Sequence, residues 1–412
     1  MSFEDSDRWM HFDESGTYVT NEKGWRMSRG NVAAREGSLY YEVKIIHGVP
    51  ATGPAVPADA NGQPQPHIRM GWARREAPLD APVGFDGYSY GITDIRFETM
   101  HRSRPGKFLA PAAGKPSKSK VAAAAAKPKP GAAQQPAAPE HEHVRTGDVL
   151  GLLITLPSLT LHRKVVAGTY NPAVDIGDGF HGGSDDAAAW DGAAAGSAPP
   201  DVIRDRIPVP YRGNLYFESF EYAAAKPVEA YAERGPTAAG ARAAAPHPNH
   251  EEACLRSLPH SAVRVFRNGR PAGTAFENLL AFLPPASVPY PVAGARPGFD
   301  DGMVGYFPAV AAFSGGIAQV NFGPHFWFPP PELARPDAGS VHGERDVAAR
   351  ARSPRAIGER FKEQIAEDIV WDLVDEADFF VQDGGYAYAG ESGGGVGKTP
   401  VAARGMADLR DD

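Results

Sequence analysis

Apolar side chains in the first three quarters of this chain recur at every second residue, a period that admits strands and little else. In Leu39–Ile46, Tyr41, Val43 and Ile45 alternate with Glu42 and Lys44, which predicts a strand with one wet face. His67–Trp72 repeats the pattern, with Ile68, Met70 and Trp72 on one side and His67 and Arg69 on the other. Leu215 and Phe217 alternate with Tyr216 and Glu218. Val149–Leu156 is apolar without a break and suits a central strand covered on both faces. Val263–Phe266 runs into Asn268-Gly269, two residues that tolerate positive φ and signal a type I′ hairpin. Met303–Phe313 and Ile317–Phe322 read as another pair, joined through Ser314-Gly315-Gly316. No helical period interrupts these segments. Many short strands joined by Gly and Pro turns predict an all-β chain of two packed antiparallel sheets.

Of the 412 residues 42% are hydrophobic, enough for a real core, yet 46 Gly and 39 Pro exceed what one compact domain uses. The excess gathers in stretches that cannot bury enough apolar area to offset their ordering entropy. Residues 111–140 are Ala/Pro/Lys-rich, 177–200 Gly/Ala/Asp-rich and 223–260 Ala/Pro/His-rich, so all three read as mobile insertions in one sandwich over 10–333. Residues 334–354 read as a charged linker and 385–412 as a tail. A net charge of −8, from 42 basic and 50 acidic side chains, excludes a chain-wide basic footprint but not a local one. Cys254, the lone cysteine, allows neither an intramolecular disulfide nor a thiolate zinc cluster, and fits a reducing compartment. MSFEDSDRWMHF is no secretory signal, and the apolar run Val149–Leu161 is too short to span a bilayer and is broken by Pro157. The expectation is a soluble intracellular protein with no membrane contact.

At Arg355 the period changes. IGERFKEQIAEDIVWDLVDEADFFVQDGG reads as one helix within 355–384, closed by Gly384-Gly385. Phe361, Ile365, Ile369 and Leu373 are spaced four apart, and Ala366, Val370 and Val374 widen the stripe. Glu363, Glu367, Asp368, Asp372, Asp375 and Glu376 fill the remainder. A stripe this wide is built for burial, against its own sandwich or against a partner. The linker before it gives no reason for the first.

NEKGWRMSRGNV, GSLYYEVKI, IRMGWARREAPLDAPVGFDGYSYG, RTGDVLGLLITLP, VFRNGRPAGTAF, GYFPAVAAF and QVNFGPHFWFPP follow one another in the order found in SPRY domains. More narrowly they resemble the SPRY subunit of COMPASS-type histone methyltransferase complexes, the Bre/Ash family, over residues 10–110, 143–170, 202–222 and 261–333. The helix at 357–383 resembles that family's C-terminal motif, which binds a dimeric, dumpy-thirty-type subunit. The resemblance implies a nuclear scaffold without methyl-transfer chemistry or cofactor. With a WD-repeat partner carrying an acidic segment, it would hold a SET-domain methyltransferase subunit active toward lysine four of histone H3. The sandwich starts near residue 10, without the PHD-like and winged-helix region of metazoan members, and with its long insertions the chain looks like the fungal form.

The resemblance also implies sites. The family receives the acidic segment on a basic and aromatic patch, whose matching positions here are Trp25, Arg69, Pro82 and Phe85. Phe85 stands where tyrosine is common, so a hydroxyl bond is lost. A second arginine common after the Tyr-Ser-Tyr stretch has no counterpart; Thr93 and Arg96 lie nearby. Guanidinium binds carboxylate in a bidentate way and an aromatic neighbour desolvates the pair, although an arginine in this register is ordinarily just a solvated strand residue. On the helix, Phe361, Ile365, Ile369, Val370 and Leu373 would enter the groove of the dimeric subunit. Lys115, Lys118, Lys120, Lys127 and Lys129 share one insertion and could touch nucleosomal DNA through phosphates, or simply solubilise a loop.

Other readings fare worse. GGGVGKT at 393–399 resembles a phosphate-binding loop, but Ser392 stands at the first glycine position, Tyr386–Glu391 is a poor strand, and Pro400 blocks the helix such a loop opens. Glu42 and Glu218 are isolated, without the paired carboxylates of a sandwich glycosidase. His141, His143, His247, His250 and His260 lack the spacing of a helical metal site, so no metal is expected. A SPRY adaptor of another complex, a ubiquitin-ligase substrate receptor or a Ran-binding type, would bring a RING, B-box or SOCS-box segment, and none is found in the sequence.

Overall fold

The apolar run Val149–Leu156 becomes strand β9, buried along nearly its whole length between β4 (Gly37–His47) and β13 (Ala262–Arg267). The computed structural model describes residues 1–52, 64–109, 143–180, 207–212, 214–218, 221–233, 245–290, 300, 302–333 and 353–383. The first sheet adds β1 (His11–Phe12), β2 (Tyr18–Thr20), β14 (Arg270–Glu277) and β17 (Ile317–Asn321), in the order β1-β2-β17-β4-β9-β13-β14. The second runs β3-β16-β5-β6-β7-β8, from β3 (Trp25–Arg29), β5 (His67–Ala73), β6 (Ser89–Thr93), β7 (Thr99–His101), β8 (Arg104–Gly106) and β16 (Phe307–Phe313). Every pairing on these two paths is antiparallel. Two small two-stranded pairs stand apart, the hairpin of β10 (Ile207–Tyr211) with β11 (Asn214–Glu218) and the long-range pair of β12 (Tyr222–Ala223) with β15 (Val288–Pro289).

The period-2 faces meet between the sheets. Tyr41, Val43 and Ile45 of β4 share one core with Ile68, Met70 and Trp72 of β5 and Val310 and Ala312 of β16. The Tyr41 ring stands edge-on to Trp72 at 5.0 Å, and its hydroxyl donates to the Gly71 carbonyl across the core. The predicted hairpin is present: Arg267 pairs with Arg270, and Asn268 (φ 50) and Gly269 (φ 77) form the turn.

Four expectations need correction. β16 and β17 do not pair, since β16 lies between β3 and β5 while β17 lies between β2 and β4, in the opposite sheet. Ser314 (φ 46) and Gly315 (φ 84) turn the chain from one sheet to the other. Alternation marks an apolar face, and strands that face each other across a core show the same pattern as strands that pair. Second, the side of β4 read as wet is covered: Glu42 is fully buried and accepts the amides of Trp327 and Phe328 at 2.7 and 2.9 Å. The segment after β17 folds back there, and Phe326 and Leu333 pack on Tyr40, Leu153 and Phe266.

Third, a helix follows β9: α1 (Leu159–Ala167), capped by the Ser158 hydroxyl and ended at Gly168 (φ 74). Its His162 is buried and accepts the amides of Phe282 and Leu283 on Nε2. Fourth, 223–260 is not all loop. It carries α2 (Lys226–Glu233) and a 3₁₀ turn, Ala253–Leu255. Val228, Cys254 and Leu255 join Met27, Ala73, Val83, Tyr88, Ala309 and Ala311 in a second core on the outer face of the second sheet. A few apolar anchors in an Ala/Pro-rich stretch suffice once a sheet face receives them.

The last element begins with strand β18 (Arg355–Ala356), parallel to Leu39 and Tyr40 of β4, on the side where β17 ends at Asn321 opposite Glu42. Helix α3 (Ile357–Asp378) follows and closes in a wider, π-type turn, Phe379–Asp383. Ile357 is fully buried and the Gly358 amide donates to the Phe322 carbonyl at 2.9 Å, so the sandwich holds the first turn of this helix despite the linker before it. Gly384-Gly385, residues 111–140, 181–200, 334–352 and 385–412 lie outside the described residues, and so do the five lysines from Lys115 to Lys129.

Candidate docking surfaces

Register places the first group of candidate residues. On the outer face of the second sheet Trp25, Phe313 and His67 form one row, and Met27, Ala311, Arg69 and Thr93 form the next. Arg69 reaches back across β16, its guanidinium 4.9 Å from the centre of the Trp25 ring. Trp25 in turn packs on Phe313 at 5.2 Å. The Arg69 Nε is buried without a hydrogen-bond partner. Burial pulls the Arg69 pKa below its ordinary value, and the Asp94 carboxylate opposes that pull. Asp94 is itself engaged, accepting the Ile68 amide at 3.0 Å and lying 3.1 Å from His67 Nδ1. A half-buried guanidinium stacked on an aromatic ring is suited to receive a carboxylate.

Pro82 and Phe85 sit on a loop folded over the same sheet face. The next row along holds Gly71 and Gly91, and a Cβ on Gly91 would lie 2.5 Å from the Val83 carbonyl, so only glycine lets the loop settle there. The Met27 amide donates to Leu79 at 2.8 Å, tying the loop's start to the strand that carries Trp25. Phe85 closes a turn onto the Pro82 carbonyl at 3.0 Å and is 51% exposed. Trp25 and Arg69 are thus in direct contact, while Pro82 and Phe85 share their face. Arg96, with φ 58, is exposed beyond the end of β6 and donates its amide to His143.

Helix α3 carries the second group. Phe361, Ile365, Ile369, Val370 and Leu373 are all exposed, from 37% at Phe361 to 62% at Leu373. Among the described side chains of the helix, the buried ones are Ile357 and, unexpectedly, Arg360, Gln364 and Asp375. Glu363 pairs with Arg355 and Arg360, which draws its pKa down against the opposing effect of burial. The helix therefore presents its apolar stripe outward. Sequence reasoning missed Ser103 and Tyr231, which brace the Phe85 loop. Neither belongs to a periodic pattern, and only the bracketing of Arg102-Ser103 by short strands could have pointed to a turn.

The molecule is, in class, an antiparallel β-sandwich with a partly exposed basic and aromatic patch and an exposed aliphatic helix stripe. Among the described residues no cluster of metal-ligating side chains occurs, and no helix is long and apolar enough to cross a membrane. No family model matches the chain. It is 44% identical over 399 residues to the COMPASS component cclA of Colletotrichum higginsianum, across 93% of this chain and 62% of that protein. The COMPASS component cclA of Aspergillus fumigatus is 37% identical over 98% of this chain and 57% of its own length. The Set1 complex component ash2 of Schizosaccharomyces pombe is 31% identical over 89% of this chain and 39% of its own. A human SPRY domain of known structure covers 77% of this chain and 98% of itself, at 11% identity and a TM-score of 0.29. The fold assignment rests on the strand pairing rather than on that superposition. The chain is a homologue of these complex components, and it spans less than two thirds of the length of the three relatives.

Proposed function

We propose that this protein is a non-catalytic scaffold subunit of a COMPASS-type histone methyltransferase complex, working in the nucleus. In this reading Trp25, Arg69, Pro82 and Phe85 receive the acidic segment of a WD-repeat subunit. Helix α3 enters the groove of a dimeric helical subunit through Phe361, Ile365, Ile369, Val370 and Leu373. The two contacts together support a SET-domain subunit in methylating lysine four of histone H3.

The observation that carries the reading is the outward apolar stripe of α3, where Ile369, Val370 and Leu373 are 57%, 58% and 62% exposed on a helix whose first turn the sandwich holds. A surface helix that hides polar side chains and exposes aliphatic ones lacks a partner surface. Homology to complex components over nine-tenths of the chain supplies the kind of assembly. Purifying the tagged full chain from nuclear extract tests it: SET-domain and WD-repeat subunits should co-purify, and recovery of neither, or of ubiquitin-ligase subunits in their place, overturns the proposal.

A further inference from the structure

The loop that carries Phe85 is fastened by two elements that lie outside the patch. β7 and β8 join through a two-residue turn, with His101 paired to Arg104. Both turn residues, Arg102 (φ 58) and Ser103 (φ 54), occupy the left-handed region. Neither is Gly or Asn, so the turn persists only because its surroundings over-determine it. Those surroundings are the loop itself. The Arg102 amide donates to Asp86 and the Ser103 amide to Gly84, each at 2.9 Å, and the Ser103 hydroxyl donates to the Phe85 carbonyl at 2.8 Å.

Helix α2 closes on the same loop from another element. The Tyr231 ring lies 3.5 Å from the Arg102 guanidinium. Val228 sits so near Gly87 that a Cβ added there would be 2.7 Å from its Cγ1. The Ala225 amide donates to the Tyr88 hydroxyl at 2.6 Å. A strained turn and a helix thus grip a segment whose tip is an exposed phenylalanine.

We propose that Arg102, Ser103 and Tyr231 are positioning residues that hold Phe85 outward on the face of the Trp25–Arg69 pair, so that the loop meets the acidic segment without an ordering cost. The proposal rests on the reading of that patch as the acidic-segment receptor. It gives the folded part of 223–260 a role in recognition, through a helix that touches no ligand.

The test is calorimetric titration of the full chain with the purified WD-repeat subunit. Ser103→Ala keeps the Cβ and the turn but deletes the bond to Phe85, and it weakens binding about fivefold. Tyr231→Ala weakens binding to a similar extent, and Tyr231→Phe restores it. Thermal melting of Ser103→Ala and Tyr231→Phe stays at the parent value. On a Phe85→Ala background, Ser103→Ala adds nothing further, because its effect runs through Phe85. Full affinity in Ser103→Ala and Tyr231→Ala, with loss in Arg69→Ala and Phe85→Ala, overturns the positioning role and leaves the patch intact. Additive losses in the Ser103→Ala/Phe85→Ala variant also overturn it. Full affinity in both Arg69→Ala and Phe85→Ala removes the patch, and the positioning role with it.

Discussion

Ile154 of β9 is fully buried, whereas Leu373 of α3, an aliphatic side chain equally regular in its own element, is 62% exposed. In the sandwich, apolar side chains fill the interior, and several charged groups held by partners join them. Arg29 pairs with Asp5, Arg74 with Glu76, and Glu42 accepts two amides. In α3 the order is reversed, with Arg360, Gln364 and Asp375 buried and the aliphatic stripe left in water. The sandwich satisfies its own sequence. The helix carries an aliphatic stripe for which the described residues provide no covering surface, the kind of exposed patch on which interaction sites are commonly built.

The contrast breaks most sharply under charge. Ile369→Glu/Leu373→Glu removes two aliphatics, each worth about 1.5–3 kcal/mol when buried, so affinity for the dimeric helical subunit falls by about a hundredfold or more. Because both positions are exposed in the isolated chain, its stability changes by no more than about 0.5 kcal/mol. Co-purification and thermal melting of one preparation check both halves. A large loss of stability would mean that the stripe is an internal packing face.

Ile154→Ala probes the other side of the comparison. It opens a cavity in the main core beneath β9 and costs about 2–5 kcal/mol in urea denaturation, whereas a cost under about 1 kcal/mol would place β9 outside the core. Arg69→Ala comes next. Loss of a charge-assisted contact worth about 1.5–3 kcal/mol weakens WD-repeat binding by roughly ten- to a hundredfold, and an unchanged Kd removes Arg69 from the patch.

The smallest effect is a pH dependence. Burial, with the nearby Arg35, Arg74 and Arg163 charges, holds the His162 pKa well below 6.5. The unfolded chain takes up that proton first, so the stability from neutral His162 is complete above the ordinary histidine range and is lost as pH falls below it. His162→Gln keeps an acceptor for the Phe282 and Leu283 amides and does not titrate, so its melting temperature declines less between pH 7 and pH 5 than the parent's, by roughly the few degrees that about 1 kcal/mol represents. Parallel curves would show that the site does not control the acid limb.

What could be read in advance was local. The Asn268-Gly269 turn announces itself because both residues tolerate the left-handed region they occupy. The core faces of β4, β5 and β9 follow from period and hydrophobicity. Arg69 and Phe85 stand out only through family resemblance, since a lone arginine or phenylalanine in a strand or loop carries no pattern. Glu42 reads as wet because nothing in Leu39–Ile46 reveals that Trp327 and Phe328 fold over it. The brace on Phe85 was invisible for the same reason: Tyr231 lies 129 residues after Arg102 and in a stretch of loop-like composition.

By itself, then, the sequence determined that this chain forms strands with one apolar face and ends in a helix with an apolar stripe, because period and turn chemistry act over a few residues. Only the tertiary structure decided which strands pair and which merely face each other, as with β16 and β17. It alone decided that the stripe of α3 points outward, because the anchorage of β18 and Ile357 on β4 sets the helix's rotation. Burial is a property of what else is nearby. A side chain's own neighbours in sequence do not specify that.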